Sequence, residues 1–354
     1  MTLRRTAQLV TGTGALLGGL AVLVLPSPYV IESPGPLVNT IGEVQEWPVI
    51  SVDGAETYET EGSLSLTTVY VSGAPTSTVR VPTAVYAWVS PTSDMLPHEL
   101  VHPSGTTDED IRQRNTQAMA ASYELALAAA LDYLGTDYTL KLSVLEFTDQ
   151  AREAGTDEIL AHGDQILSAQ GEEITGIEGL RNAVNEAAGQ PLELTVARGE
   201  DQIQLEVPTY QEADGEYYVG LMLASEFDFP VELDIRVGEV GGPSAGLMFA
   251  LGIIDTLTEE SLTGGEDFAG TGTVDPDGTV GAIGGIAQKV VGARERGVEH
   301  FLAPRDNCDE LTGRTPDGLT VYGVEDVAEA VRIVEAVRDN DEDFLAGLEP
   351  CGTA

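Results

Sequence analysis

A serine and a lysine 45 positions apart carry the chemistry this sequence offers. Ser244 lies in Gly241-Gly242-Pro243-Ser244-Ala245-Gly246, directly after an alternating strand. Lys289 lies in Gly284-Gly285-Ile286-Ala287-Gln288-Lys289, in a chain with only one other lysine, Lys141. Leu247, Met248, Leu251 and Ile254 form a helical apolar stripe, so the pattern predicts a helix starting near Ser244. Pro243 suits its first turn, where a missing N–H costs nothing. Free N–H groups and the positive end of the helix dipole would then face the serine and suit a tetrahedral oxyanion. Gly242, Pro243 and Ala245 complete that nucleophile loop. The simpler alternative is an N-capping serine in a tight turn.

The pattern predicts a second helix over 286–296, closed by Gly297. Ile286, Lys289, Val290 and Ala293 recur at helical spacing, so Lys289 shares the apolar stripe. Desolvating an ammonium is costly, and burial lowers a lysine pKa towards the range a general base needs. A lone lysine here reads as a stem covering apolar surface. Paired with Ser244, it reads as the base of a serine–lysine dyad.

Other chemistries find less support. Gly242-Pro243-Ser244-Ala245-Gly246 also satisfies Gly-x-Ser-x-Gly, the nucleophile elbow of α/β-hydrolases, with His300 downstream as base. That elbow normally follows several βα units, and here a β-rich segment precedes it. A non-catalytic surface adaptor is the other alternative. The sequence has no HExxH pattern and no cysteine cluster with metal spacing, so no metal or cofactor is expected. Neither lysine follows a glycine, so these residues hold no Walker A loop and no ATP dependence is expected.

The elements that must position the pair begin at the N-terminus. Arg4 and Arg5 precede an apolar run from Leu9 to Leu25 that continues weakly to Tyr29-Val30-Ile31. This predicts an uncleaved transmembrane anchor over 9–31, N-terminus in the cytoplasm and the rest extracytoplasmic, with a cleaved signal peptide as the alternative. Cys308 and Cys351 then lie in an oxidising compartment, where a disulfide between them can persist. The formal charge of −42 argues against a nucleic-acid partner.

Residues 63–71 have strand composition, and 107–134 read as a helix opened by Thr107 with an acidic first turn. Residues 231–237 alternate as a half-buried strand. Between these, Gly163-Asp164-Gln165-Ile166, a turn glycine at 171, a helix over about 179–188 and a hairpin resemble the later two-thirds of a PDZ domain. No carboxylate-binding loop is recognisable over 138–147. Peptide capture by strand addition is what that resemblance implies.

The motifs around Ser244 and Lys289 resemble the Lon-type serine–lysine proteases, in their membrane-anchored, PDZ-containing form. Gly-Pro-Ser-Ala-Gly is similar to the nucleophile motif and Gly-Gly-x-x-x-Lys to the base motif. Thr271-Gly272-Thr273-Val274, Gly278-Thr279-Val280 and residues 298–304 are similar to the connecting strands. Two positions depart from the pattern: Gly241, where many Lon proteins carry an acid, and Thr273, which replaces a frequent glutamate. The resemblance implies Ser244 as nucleophile, Lys289 as base, Thr271 as the group orienting the lysine, and protein or peptide substrates. It also implies assembly of copies into a ring. The expected fold is α+β: an anchor (9–31), a Lon-like protease domain in two parts (45–135 and 226–340), an inserted PDZ-like β domain (138–210) and a tail (341–354).

Overall fold

The computed structural model describes residues 13, 23–101, 105–174, 176–212, 215–238, 240–349 and 351–352. In chain order, the first segment contains β1 (Tyr29–Asn39), β2 (Ile50–Asp53), β3 (Ser63–Ser72), α1 (Val81–Val89), β4 (Asp94–Pro97) and α2 (Asp108–Tyr133). An inserted unit follows, with β5 (Thr139–Phe147), β6 (Gln165–Ala169), α3 (Ile177–Ala187), β7 (Leu192–Arg198), β8 (Asp201–Val207) and β9 (Leu221–Asp228). The last segment holds β10 (Glu232–Ile235), α4 (Gly246–Leu257), β11 (Asp267–Gly270), α5 (Ile286–Glu295), β12 (His300–Pro304), β13 (Thr320–Val324) and α6 (Val327–Arg338). The chain divides into two compact units, one formed by 1–135 with 231–354, the other by 136–230.

The first unit is built on a six-stranded mixed sheet in the order β13-β12-β11-β3-β1-β4. β11 runs parallel to both β3 and β12, while β1 is antiparallel to β3 and β4. α4 is apolar nearly all round, and a helix of that kind has to be enclosed. Gly246 through Asp255 are all buried. Phe249 meets Tyr123 of α2 edge to face at 5.0 Å. Gly252 lets Thr40 approach so closely that a β-carbon there would lie 2.7 Å from its hydroxyl oxygen. The start of α2 follows from its sequence: the Thr107 side chain accepts the Asp110 amide, and the Asp110 carboxylate accepts the Thr107 amide.

The inserted unit is a sheet in the order β8-β7-β6-β5-β9, with α3 packed on it through Leu180 and Val184. Leu192, Leu194 and Val196 alternate inward along β7 and are fully buried. Asp164, also buried, accepts from Nε and Nη2 of Arg198 at 2.7 and 2.6 Å. Burial pushes its carboxyl up, yet this guanidinium and the Ala161 amide hold it below the ordinary value.

Several expected boundaries move. The expected anchor over 9–31 lies mostly outside the described residues, but its last three residues open β1, where Ile31 pairs with Met95 and Ser72. Among the described residues no helix is long and apolar enough to cross a membrane. The sheet of the first unit therefore starts at residue 29, where the expected first part opened at 45. The inserted unit runs to 230, where 210 was expected, because β9 pairs with β5 along its whole length. The last segment accordingly begins at 231, where 226 was expected. The tail from 341 carries a helical turn at Glu342–Ala346 and is tied back by Cys351.

Candidate active site

The site gathers at the carboxyl end of β11. Thr271 follows that strand directly and is held by its amide, which donates to the Leu302 carbonyl of β12 at 3.1 Å. From there Gly272 reaches the loop that carries Ser244: its amide donates to the Ser244 carbonyl at 2.9 Å, and its carbonyl accepts the Leu247 amide at 3.1 Å. These two bonds draw Ser244 out of the helix it was expected to open. α4 begins at Gly246, so Pro243 lies ahead of the first turn and Leu247's amide is already committed. The loop is held from behind by α2, where Ser122 Oγ donates to the Pro243 carbonyl at 3.3 Å and the Asn115 carbonyl accepts the Gly242 amide at 3.1 Å. Gly242 sits at φ +95°, a conformation that favours glycine. At Gly241 a β-carbon would lie 2.9 Å from that of Asn115, so α2 crowds any side chain placed there.

Lys289 projects from α5 into this corner and is 2% exposed. Its Nζ donates to Ser244 Oγ at 2.9 Å and to Thr271 Oγ1 at 2.8 Å. Thr271 in turn donates its hydroxyl proton to the Ser244 carbonyl at 2.8 Å. With that proton committed, the Thr271 oxygen presents lone pairs to the lysine. Burial pushes the Lys289 ammonium down to about 7, against the pull of the Glu32 carboxylate. Glu32 lies on β1 opposite Asp94, and its own pKa is raised, first by burial and then by Asp94.

The pair opens onto a cleft of about 430 Å³ whose walls include Leu66, Val69 and Val71 of β3 and Asn115 and Met119 of α2. Beyond Leu66, β3 pairs with β1 only, because β11 ends at Gly270. Strand β3 therefore passes Ser244 with one edge open within the sheet. His300 lies elsewhere, opening β12 beside Phe268, with Nδ1 3.1 Å from the Tyr322 hydroxyl. The polar partner of Ser244 Oγ is Lys289. Among the described residues no group of His, Cys, Asp or Glu is arranged to hold a metal. Cys308 and Cys351 are joined in a disulfide with Cα atoms 4.8 Å apart.

Three contributors escaped the sequence. Glu32, Asn115 and the β3 edge lie more than a hundred residues from Ser244 and Lys289 in the chain, and nothing local marks them. In the inserted unit, α3 (Leu180, Arg181, Val184) and the segment leading into and opening β9 (Val219, Gly220, Leu221, Leu223) line a groove of about 410 Å³.

Residues 233–335 match the family model described as the Lon protease (S16) C-terminal proteolytic domain. The chain is 33% identical over 95 residues to the Lon protease of Buchnera aphidicola subsp. Schizaphis graminum, covering 26% of this chain and 12% of that protein. It is 35% identical over 106 residues to Lon protease 1 of Sorangium cellulosum, covering 28% and 13%. The chain thus spans about an eighth of the length of these curated relatives. Among solved structures it is similar to the PDZ domain of the SdrC-like protein from Listeria monocytogenes. That likeness has a TM-score of 0.21 and 15% identity, over 23% of this chain and 85% of that one.

Proposed function

We propose that this chain is a serine endopeptidase in which Ser244 is the nucleophile and Lys289 the general base. The observation that carries the reading is a buried lysine amine 2.9 Å from a serine hydroxyl, with its pKa brought to about 7. Half of such amines are neutral at neutral pH and offer a lone pair to the Oγ proton. Thr271 and the N–H groups of the amine settle its orientation, so the lone pair faces the serine. Oγ attacks the scissile carbonyl carbon as its proton passes to Nζ. The resulting ammonium then returns the proton to the leaving amine as the C–N bond breaks, giving an acyl-enzyme. Water repeats the cycle in the deacylation half. The oxyanion falls to the amides of Ser244 and Ala245, since that of Leu247 is spent on Gly272.

Substrate enters as an extended segment beside the open edge of β3, where main-chain hydrogen bonds align it with Oγ. The groove between α3 and β9 suits a second extended segment, so the PDZ-like unit recruits substrate. With no Walker A loop in these residues, turnover proceeds without ATP. The apolar run 9–25 behind Arg4 and Arg5 tethers the enzyme, with the catalytic unit extracytoplasmic.

Labelling by a fluorophosphonate tests the core of this reading. Wild type is expected to label and to cleave an unfolded protein such as casein without added ATP, and Ser244→Ala to do neither. Cleavage retained in Ser244→Ala, or lost in His300→Ala but kept in Lys289→Ala, would overturn the dyad.

A further inference from the structure

Helix α1 is amphipathic in the reverse sense for an element that faces water. Its small residues Ala84 and Ala87 are buried with Ile31 and Val79, while Val85, Tyr86, Trp88 and Val89 are 52–74% exposed. A water-facing helix buries its large apolar side chains and turns polar ones outward. Of the large hydrophobic side chains exposed among the described residues, more than half come from this helix, from the strand ends at Tyr29, Tyr70 and Val71, and from Leu23, Val24 and Leu25.

Two observations identify what covers the face. The first is chain continuity. The Val81 amide donates to the Leu25 carbonyl at 3.2 Å, and the Ser27 amide donates to the Val79 carbonyl at 2.7 Å. Helix α1 therefore begins where the chain arrives from the apolar run 9–25, whose last residues Leu23, Val24 and Leu25 are themselves exposed. The second is charge. The chain has 59 acidic residues, yet residues 6–31 contain no charged side chain and residues 72–93 contain only Arg80. The two acid-free stretches meet at this corner of the fold. A bilayer surface repels carboxylates and takes up aromatic side chains at the level of its headgroups.

We propose that α1 is an interfacial helix, lying on the lipid surface with its Val85–Val89 face in the headgroup layer beside the point where the 9–25 segment enters. The inference rests on the reading of 9–25 as a membrane anchor, and it adds a second lipid contact that fixes how the catalytic unit stands on the membrane.

The two tryptophans make it testable in the full chain. Trp47→Phe leaves Trp88 as reporter. Trp88→Phe leaves Trp47, which follows the far end of β1, a strand about 30 Å long, and packs under Arg236 at 5.0 Å. Each variant is reconstituted into vesicles of phosphatidylcholine and phosphatidylglycerol, with and without brominated acyl chains, and floated on a density gradient. Both variants are expected to float, and bromolipid to quench Trp88 several-fold more than Trp47. If both float and Trp88 is quenched no more than Trp47, α1 does not touch lipid and the proposal falls while the anchor stands. A Trp88 emission that shifts only as the protein-to-lipid ratio rises would assign the face to a second copy, which also overturns it. A chain that stays at the bottom of the gradient overturns the anchor and the proposal together.

Discussion

Thr271 Oγ1 lies 2.8 Å from Lys289 Nζ, and it can only accept there, because its own proton goes to the Ser244 carbonyl. One hydroxyl thus ties the Ser244 backbone to the Lys289 amine. Thr271→Val keeps the volume and deletes this link. We expect kcat/KM to fall by about 10²-fold, the order that small misplacements of reacting groups cost. Stability should fall by about 1–3 kcal/mol, for the two hydrogen bonds lost. Steady-state kinetics beside denaturant melts check both; unchanged kinetics would make Thr271 a strand residue only.

The lysine sets the pH profile. A base works only when neutral, so with a pKa of about 7 the rate should rise with pH below that value and level off above it. Glu32 opposes the effect of burial by favouring the ammonium, so Glu32→Gln should move the midpoint to lower pH. Lys289→Arg should be inactive, since guanidinium does not deprotonate in this range. A midpoint that stays in place in Glu32→Gln would remove Glu32 from the electrostatics of the site.

Asp255, buried in α4, accepts the Leu262 amide at 2.5 Å through Oδ1, while Oδ2 has no partner among the described residues. Burial pushes its pKa from 3.8 up to about 6. A folded state that holds a proton the unfolded chain releases is most stable below the unfolded pKa. It loses stability as pH rises from 3.8 to about 6, and the deficit is constant above. Asp255→Asn removes that deficit. It should therefore gain on the order of 2 kcal/mol over wild type near neutrality, and nothing in the acid range. Urea melts at the two pH values decide; an equal effect at both would exclude the carboxyl as the cause.

The Cys308–Cys351 bridge closes a loop with a sequence separation of 43. Replacing both cysteines by serine should lower the unfolding free energy by about 4 kcal/mol, from the entropy restored to the unfolded chain. The dyad itself should remain intact. Calorimetry with and without reductant measures this, and a reductant-insensitive melting temperature in wild type would contradict it.

Thr139 and Asp228 are cross-strand partners, so the two ends of the inserted unit leave it side by side. Removing 136–230 and joining the ends with a short linker should keep fluorophosphonate labelling and peptide cleavage while protein cleavage falls. Removing 138–210 alone should yield an aggregating product, because it strips β9 of its partner. Equal behaviour of the two deletions would mean that β9 belongs to neither unit's stability.

Local pattern alone determined several features of this protein. The continuous apolarity of 246–257 requires an enclosed helix, and the spacing of Ile286, Lys289, Val290 and Ala293 puts a lysine on a buried stripe. The alternation of 231–237 requires a strand with one wet face. Each signal is a period within one element, and one element is enough to express it. What tertiary structure decided are the pairings. Gly272, by bonding both Ser244 and Leu247, competed with helix propagation and moved the start of α4 two residues past the nucleophile. Tyr29-Val30-Ile31 looked like the end of a membrane span because apolarity reports burial without saying in what medium; the partners Met95 and Ser72 made it a strand. The extent of the inserted unit hung on β9 finding β5 across some eighty residues. No window of sequence contains such a contact, because its free energy exists only when both strands are present.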